Sequence, residues 1–303
     1  MNRRDCLIAS AAATGAALTM RLQQRKYAVD LRPKRSRVAI LHTDEYSEKL
    51  DELVYQGLRL FNLNVRGKSV LLKPNIVEYI PGKPVNTDPQ LIGATAEAFL
   101  RLDATSVTVG EGPGHHRDTD LLLCETGLGD QLAHRKIRFV DLNRDELIKT
   151  KLGANYSGLG HLWLPQTVLT SDFIVSMPKV KTHHWTGVTL SMKNMFGIVP
   201  GCRYGWPKNV LHWAGIHESI LDICATVRPH FVIADGVVGM DGDGPLNGRD
   251  RILNKLVFSD DLVAADASCI DLLEFSLNSV RHVAEAGRFL GNLALDLIDQ
   301  LAR

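Results

Sequence analysis

A single large α/β domain, with a mainly parallel sheet and helices on both of its faces, is the fold this sequence predicts. Three observations predict it. Short apolar runs rich in Val, Ile and Leu alternate with longer stretches whose apolar residues recur every three to four positions. One of those longer stretches opens on a helix cap, Asp88 followed by Pro89. The residues with the most chemistry follow the ends of the apolar runs, where open α/β sheets place their sites.

The elements follow in order. "RVAILHT" reads as a first strand, and "YSEKLDELVYQGLRLF" as an amphipathic helix. "KSVLLKPN" is a second strand, stopped by Pro74, which has no N–H for the ladder. In "NTDPQLIGATAEAFLRL" Asp88 can accept the first helical N–H groups, with Pro89 at the first helical position. "SVTVGEGPG" and "RFVDL" read as the third and fourth strands, and "HLWLPQTVLTSDFIVSMPK" adds one or two more. "NVLHWAGIHESILDICATV" reads as helical and "PHFVIADGVVGMDGDGP" as a strand entering a Gly/Asp loop. "LNKLVFSDDLVAADASCIDLLEF" reads as strand then helix or strand pair, and "SLNSVRHVAEAGRFLGNLALDLIDQ" as helix.

The chain has 303 residues, 45% hydrophobic and 23% charged, with a formal net charge of +1. That length supports a core without disulfides or a structural metal. A charge near zero offers no global field to recruit nucleic acid or an anionic membrane, so any basic site is local. None of the five cysteines forms a C-x-x-C pair, which gives zinc-ribbon and iron–sulphur sites no support. At the N-terminus, Arg3-Arg4, an Ala-rich run from Cys6 to Met20 and basic residues from Arg21 fit a leader over residues 1–27 of the twin-arginine type. The run is too short to span a bilayer comfortably. The expectation is an exported, periplasmic protein with no stable membrane span and a domain over residues 36–303.

"PKVKTHHWTGVTLSMKNMFG", residues 178–197, carries the densest chemistry. Lys179 and Lys181 alternate, so an extended backbone sends both to one side. A short helix after Thr189, ending near Gly197, would add Lys193 and Asn194 and present free N–H groups to an anion. His183 is the side chain there whose ordinary titration lies near neutrality. Met192, Met195 and Phe196 are assigned to packing. Lys73 and Asn75 end the second strand, and Glu111 and Gly112 lie in a glycine-rich loop with His115 and His116; all four are candidate ligand contacts. Asp235, Asp241 and Asp243, on a backbone with many glycines, are candidate ligands for a divalent cation. His212 and His217 are five apart and share a helical face poorly.

Four blocks in this order, "KPN", "NTDP", "PKVKTHHWTGVTLSMKNMFG" and "DGVVGMDGDGP", resemble domain-of-unknown-function family 362 over roughly residues 36–290. The resemblance implies a large α/β domain of bacteria and archaea, in which some members carry a twin-arginine leader and some carry ferredoxin-like cysteine clusters. Lys73, Asn75, Lys179, Lys181, His183, Lys193, Asn194, Asp235 and Gly244 occupy its motif positions. This chain lacks the clusters, so no intrinsic iron–sulphur cofactor is expected.

The functional expectation is an enzyme acting on a small carboxylate or phosphate. Lys179, Lys181 and Lys193 would hold the anion, His183 would act as acid or base, and the aspartates would hold a divalent cation. The alternatives are an anion-binding protein without chemistry, and a redox component that depends on an iron–sulphur partner. His183→Gln separates the first two, because a binder keeps its affinity while an enzyme binds and stops turning over.

Overall fold

The computed structural model describes residues 30–114, 116–294 and 298–302. The expected leader and His115 lie outside them.

The described strands are β1 (Ser36–His42), β2 (Ser69–Pro74), β3 (Ser106–Glu111), β4 (Arg138–Asp141), β5 (Leu147–Lys151), β6 (His161–Pro165), β7 (Phe173–Met177), β8 (Lys179–His183), β9 (Gly187–Thr189), β10 (Phe231–Asp241), β11 (Arg249–Ser259) and β12 (Ile298–Ala302). Ten form one sheet in the order β12-β1-β11-β10-β7-β2-β3-β4, with β8 and β9 attached beside β10; β5 and β6 pair separately. The pairs β2–β3, β2–β7, β3–β4, β7–β10, β8–β10 and β1–β12 are parallel, while β11 runs antiparallel to β1 and β10. The α/β architecture expected from the sequence is therefore present.

Both faces of the sheet are buried because alternate strand residues feed two cores. On β2, Val70 and Leu72 pack with the helices Lys49–Arg59 and Pro89–Arg101, while Leu71 faces the helices Ile216–Val227 and Leu262–Leu272. Phe173 and Val175 of β7 join the first core and Ile174 the second. Each fully buried Leu or Val of this kind contributes about 1.5–3 kcal/mol. The Asp88 carboxylate accepts from Gln90 N at 2.8 Å, as the sequence cap requires.

The differences from expectation have local causes. The long helix read through residues 209–227 is two helices, Asn209–Trp213 and Ile216–Val227, broken at Gly215 with φ 100°. Among the described residues, the C-terminal stretch contributes a 3₁₀ turn at Leu277–Ser279 and an α-helix at Arg281–Ala286, and its last residues enter β12 along β1. The helix after Thr189 spans only Ser191–Asn194, followed by a 3₁₀ turn at Met195–Ile198 that contains Gly197. None of the described helices is long and apolar enough to cross a membrane.

Candidate functional site

Four strand ends converge on one cavity. Lys73 closes β2, Glu111 closes β3, and β8 delivers His183 before the chain returns through β9 into the helix Ser191–Asn194. The cavity is about 220 Å³. Its polar wall includes Lys73, Asn75, Glu111, His183, Lys193 and Asn194 from the sequence-derived set, with Gly112 beside them. Trp185, Phe196, Ile76, Val77 and Leu246 supply an apolar wall.

Lys73 is the structural centre of this wall. Its ammonium donates to Glu111 Oε2 at 2.7 Å, Pro74 O at 2.7 Å and Asn194 Oδ1 at 3.0 Å. Three donors meet three acceptors, so Lys73 has no hydrogen left for a ligand. Glu111 is equally committed, accepting from Ile76 N at 2.9 Å and Gly112 N at 2.8 Å as well. Asn194 Nδ2 completes the frame by donating to Lys73 O at 2.9 Å and Ser176 Oγ at 3.1 Å. Burial pushes the Lys73 amine below its ordinary value, with Glu111 opposing.

Gly197 is needed here by close approach, and not as a helix terminator. A Cβ at that position would stand 2.5 Å from Lys73 Nζ and 2.6 Å from Glu111 Oε1. Sequence reasoning read the right residue with the wrong cause.

Lys208 is a second cation in the wall, absent from the sequence-derived set. It follows Pro207 in a loop, with φ 71°, and donates to the carbonyls of Phe196, Gly197 and Gly112 at 3.0, 3.2 and 3.3 Å. Its hydrogens are also spent on the protein. Burial lowers its amine to about 7, against the opposing pull of Glu111.

Lys193 differs from both. Among the described residues its ammonium has no hydrogen-bond or ion-pair partner; it sits 4.6 Å from the centre of the Phe196 ring. Part of its surface faces the cavity, yet protein surrounds it closely. Burial, then the Lys73 charge, lower its amine to about 8, with Glu111 opposing. The helix that carries it is pinned by Asp266, whose carboxylate accepts from Ser191 N at 2.7 Å and Met192 N at 3.1 Å. The expected anion site at this helix N-terminus is therefore filled by the protein's own carboxylate. The Asp266 carboxyl is itself raised to about 7, chiefly by burial.

Two further groups in the wall lack partners. Asn75 Oδ1 and Thr189 Oγ1 are buried with no hydrogen bond, and both residues line the cavity. Buried polar atoms in native proteins are nearly always satisfied by protein or by ordered water, and these two border one hollow.

The histidines have defined tautomers. Trp185 N donates to His183 Nδ1 at 3.1 Å, which leaves the proton of the neutral ring on Nε2. Burial, then Lys193, drive the His183 ring down to about 2, so it stays neutral and donates. Proton exchange near neutrality, the role expected of it, is not what this environment favours. His184 stacks on it at 4.9 Å and its Nδ1 donates to Gly244 O at 2.9 Å, leaving the lone pair on Nε2. His212 meets Trp185 edge-on at 5.0 Å.

Lys179 and Lys181 do not reach this cavity. Lys179 pairs with Asp235 at 2.7 Å and donates to Tyr46 Oη at 2.9 Å and Val238 O at 3.1 Å. Tyr46 Oη donates in turn to Asp235 Oδ1 at 2.6 Å, and Asp88 N to Asp235 Oδ2 at 2.9 Å. Lys181 is fully buried, donates to Val85 O at 2.5 Å, and is driven well below its ordinary value by burial and by Lys179. Both are internal supports of β8.

The three candidate metal carboxylates are dispersed. Asp235 belongs to the Lys179 pair, Asp241 pairs with Arg249 at 3.3 Å and Arg251 at 3.6 Å, and Asp243 is exposed. No group of three or more His, Cys, Asp or Glu among the described residues could hold a metal ion. Gly244 acts through its backbone: its carbonyl fixes His184, and a Cβ there would meet Thr182 O at 2.0 Å.

A thylakoid-associated protein of Synechocystis sp. is 24% identical over 229 residues, covering 73% of this chain and 68% of that protein. Among solved structures, the lactate racemase apoprotein of Thermoanaerobacterium thermosaccharolyticum has a TM-score of 0.48 at 14% identity, covering 82% of this chain and 57% of that one. A Thermotoga maritima protein has a TM-score of 0.37 at 11% identity, covering 78% of this chain and 61% of that one. The chain thus spans less than two thirds of either solved structure. The family model described as Domain of unknown function (DUF362) matches residues 70–271, and the chain belongs to that family.

Proposed function

We propose that the cavity binds a small anion, a short carboxylic acid or a phosphate, and that the protein is an enzyme acting on it. One observation carries the proposal: among the described residues the Lys193 ammonium has no hydrogen-bond or ion-pair partner and Thr189 Oγ1 no hydrogen bond, and both residues border the same hollow. Lys73 and Lys208 spend their hydrogens on the protein, so they act on a ligand only through their field. Lys193, Thr189 and His183 Nε2 supply donors. A volume of about 220 Å³ is below the usual range for drug-sized ligands, which favours a small molecule. Trp185 and Phe196 suit the apolar part of a carboxylic acid better than a bare inorganic ion.

The test is thermal unfolding of the full chain at pH 7 with malonate or inorganic phosphate, for the wild type and Lys193→Met. A ligand at a hundred times its Kd stabilises by about 2.7 kcal/mol. The wild type should gain stability and Lys193→Met should not. Equal stabilisation of both proteins would remove Lys193 from the site.

The neutral state of His183 favours a second reading, a binder without turnover, in which the ring only donates a hydrogen bond. His183→Gln retains a donor and would then keep most of the affinity.

A further inference from the structure

We propose that Lys193 Nζ is the nucleophile of this cavity and forms a Schiff base with the carbonyl of a small 2-oxo acid. This rests on the anion-site reading above and deepens it by naming the substrate class.

The geometry separates Lys193 from the other buried lysines. Lys73, Lys179 and Lys208 each have their hydrogens committed to protein acceptors, and Lys181 lies outside the cavity wall. Among the described residues, Lys193 is the lysine of the wall whose ammonium has no acceptor, and its side chain borders the hollow. It rests on an aromatic ring with a fixed cation, Lys73, close enough to act on it. An amine that is desolvated and set beside another cation is the arrangement that activates lysine as a nucleophile. The lowered amine, about 8, agrees with this. The helix beneath it cannot drift, because Asp266 holds its first two N–H groups.

The ligand must answer the rest of the wall. A carboxylate answers the positive field and the Thr189 hydroxyl. A carbonyl next to it places an electrophilic carbon within the same few atoms, which a cavity of this size requires.

The Lys193 ammonium gives one proton to a base, and His184 Nε2 has the lone pair for it, since Nδ1–H is fixed on Gly244 O. The amine nitrogen attacks the carbonyl carbon, the C–N bond forms, and the C=O π pair moves to oxygen, which takes the proton that the attacking nitrogen gives up. The carbinolamine hydroxyl then takes the proton held by His184 and leaves as water, while the nitrogen lone pair forms the C=N bond and nitrogen carries the positive charge of the iminium. In sum, ammonium plus ketone gives iminium plus water.

The experiment is borohydride trapping of the full-length protein with pyruvate, read by intact mass and peptide mapping. The expected result is one carboxyethyl group per chain, on Lys193, at pyruvate concentrations that leave surface lysines unmodified. Lys193→Arg keeps the charge and should lose the trapped product. Modification spread over surface lysines, or none at Lys193, overturns the inference. If malonate still stabilises the wild type in that case, the anion site stands and only the covalent step fails. If malonate gives no stabilisation either, both readings fall together.

Discussion

Replacing Glu111 by Gln removes one charge from a pair in which both side chains are almost wholly buried, 1% exposed for Lys73 and 2% for Glu111. The carboxylate faces donors on both oxygens: Lys73 Nζ and Ile76 N on Oε2, Gly112 N on Oε1. An amide of the same shape must turn its NH₂ toward one of these sides. On the Oε1 side it meets the Gly112 N–H, and on the other it meets the lysine and the Ile76 N–H. The variant therefore leaves a buried cation without its counter-charge and at least one buried donor without an acceptor. Breaking a buried pair from one side costs about 3–5 kcal/mol. The Lys73 amine is already lowered by burial, so it can escape part of this cost by losing its proton, and the penalty should shrink as pH rises. Urea unfolding at pH 7 is the assay. With a slope of about 2–3 kcal/mol/M, the midpoint should fall by about 1–2 M. The double variant Lys73→Met/Glu111→Leu should recover part of the loss, because it removes both charges. A loss under about 1 kcal/mol for Glu111→Gln would refute the reasoning, since it would mean that the carboxylate is not the partner on which Lys73 depends.

Anion binding should weaken above pH 8. Lys193 is protonated below about 8 in the free protein and a bound anion raises that value, so binding takes up a proton above it; calorimetry at pH 7 and 9 should differ about tenfold in Kd. Gly197→Ala forces a methyl group between Lys73 and Glu111 and should destabilise by about 1–3 kcal/mol while removing malonate-dependent stabilisation, both read from thermal unfolding. Asp266 stays protonated in the folded protein up to about pH 7, whereas an unfolded aspartate ionises near 3.8. It therefore lowers stability as pH rises through that interval, and Asp266→Asn should flatten the stability difference between pH 4.5 and 7.5.

The sheet was legible because buried strands and amphipathic helices write different periods into the sequence. Asp88-Pro89 and the stop at Pro74 placed two elements without any tertiary information. The cavity was legible in part. Lys73, Asn75, Glu111, Lys193 and Asn194 stand at strand ends or on the helix they feed, where α/β folds gather function. What the sequence could not disclose is which neighbour consumes each charge. Lys179 and Lys193 are alike in sequence, yet Asp235 lies against one, while among the described residues no hydrogen-bond or ion-pair partner answers the other. Asp241 and Asp243 look like a cation loop until Arg249 and Arg251, on the next strand, fold back onto Asp241. Lys208 carries no local signal at all: its role comes from a loop that brings it to three carbonyls, two of them eleven and twelve residues away and one ninety-six. β5 and β9 were missed for a similar reason, being short strands whose partners, not their composition, define them.

The central claim is that Lys193 is a lowered, unpartnered amine that faces an anion. Trace acetylation of the full-length protein across pH 6 to 11, quantified at each lysine by mass spectrometry, measures this directly. The account expects Lys193 to titrate near 8, and to move upward when malonate is added. A Lys193 that titrates at the ordinary lysine value of about 10.4, unmoved by malonate, would contradict it.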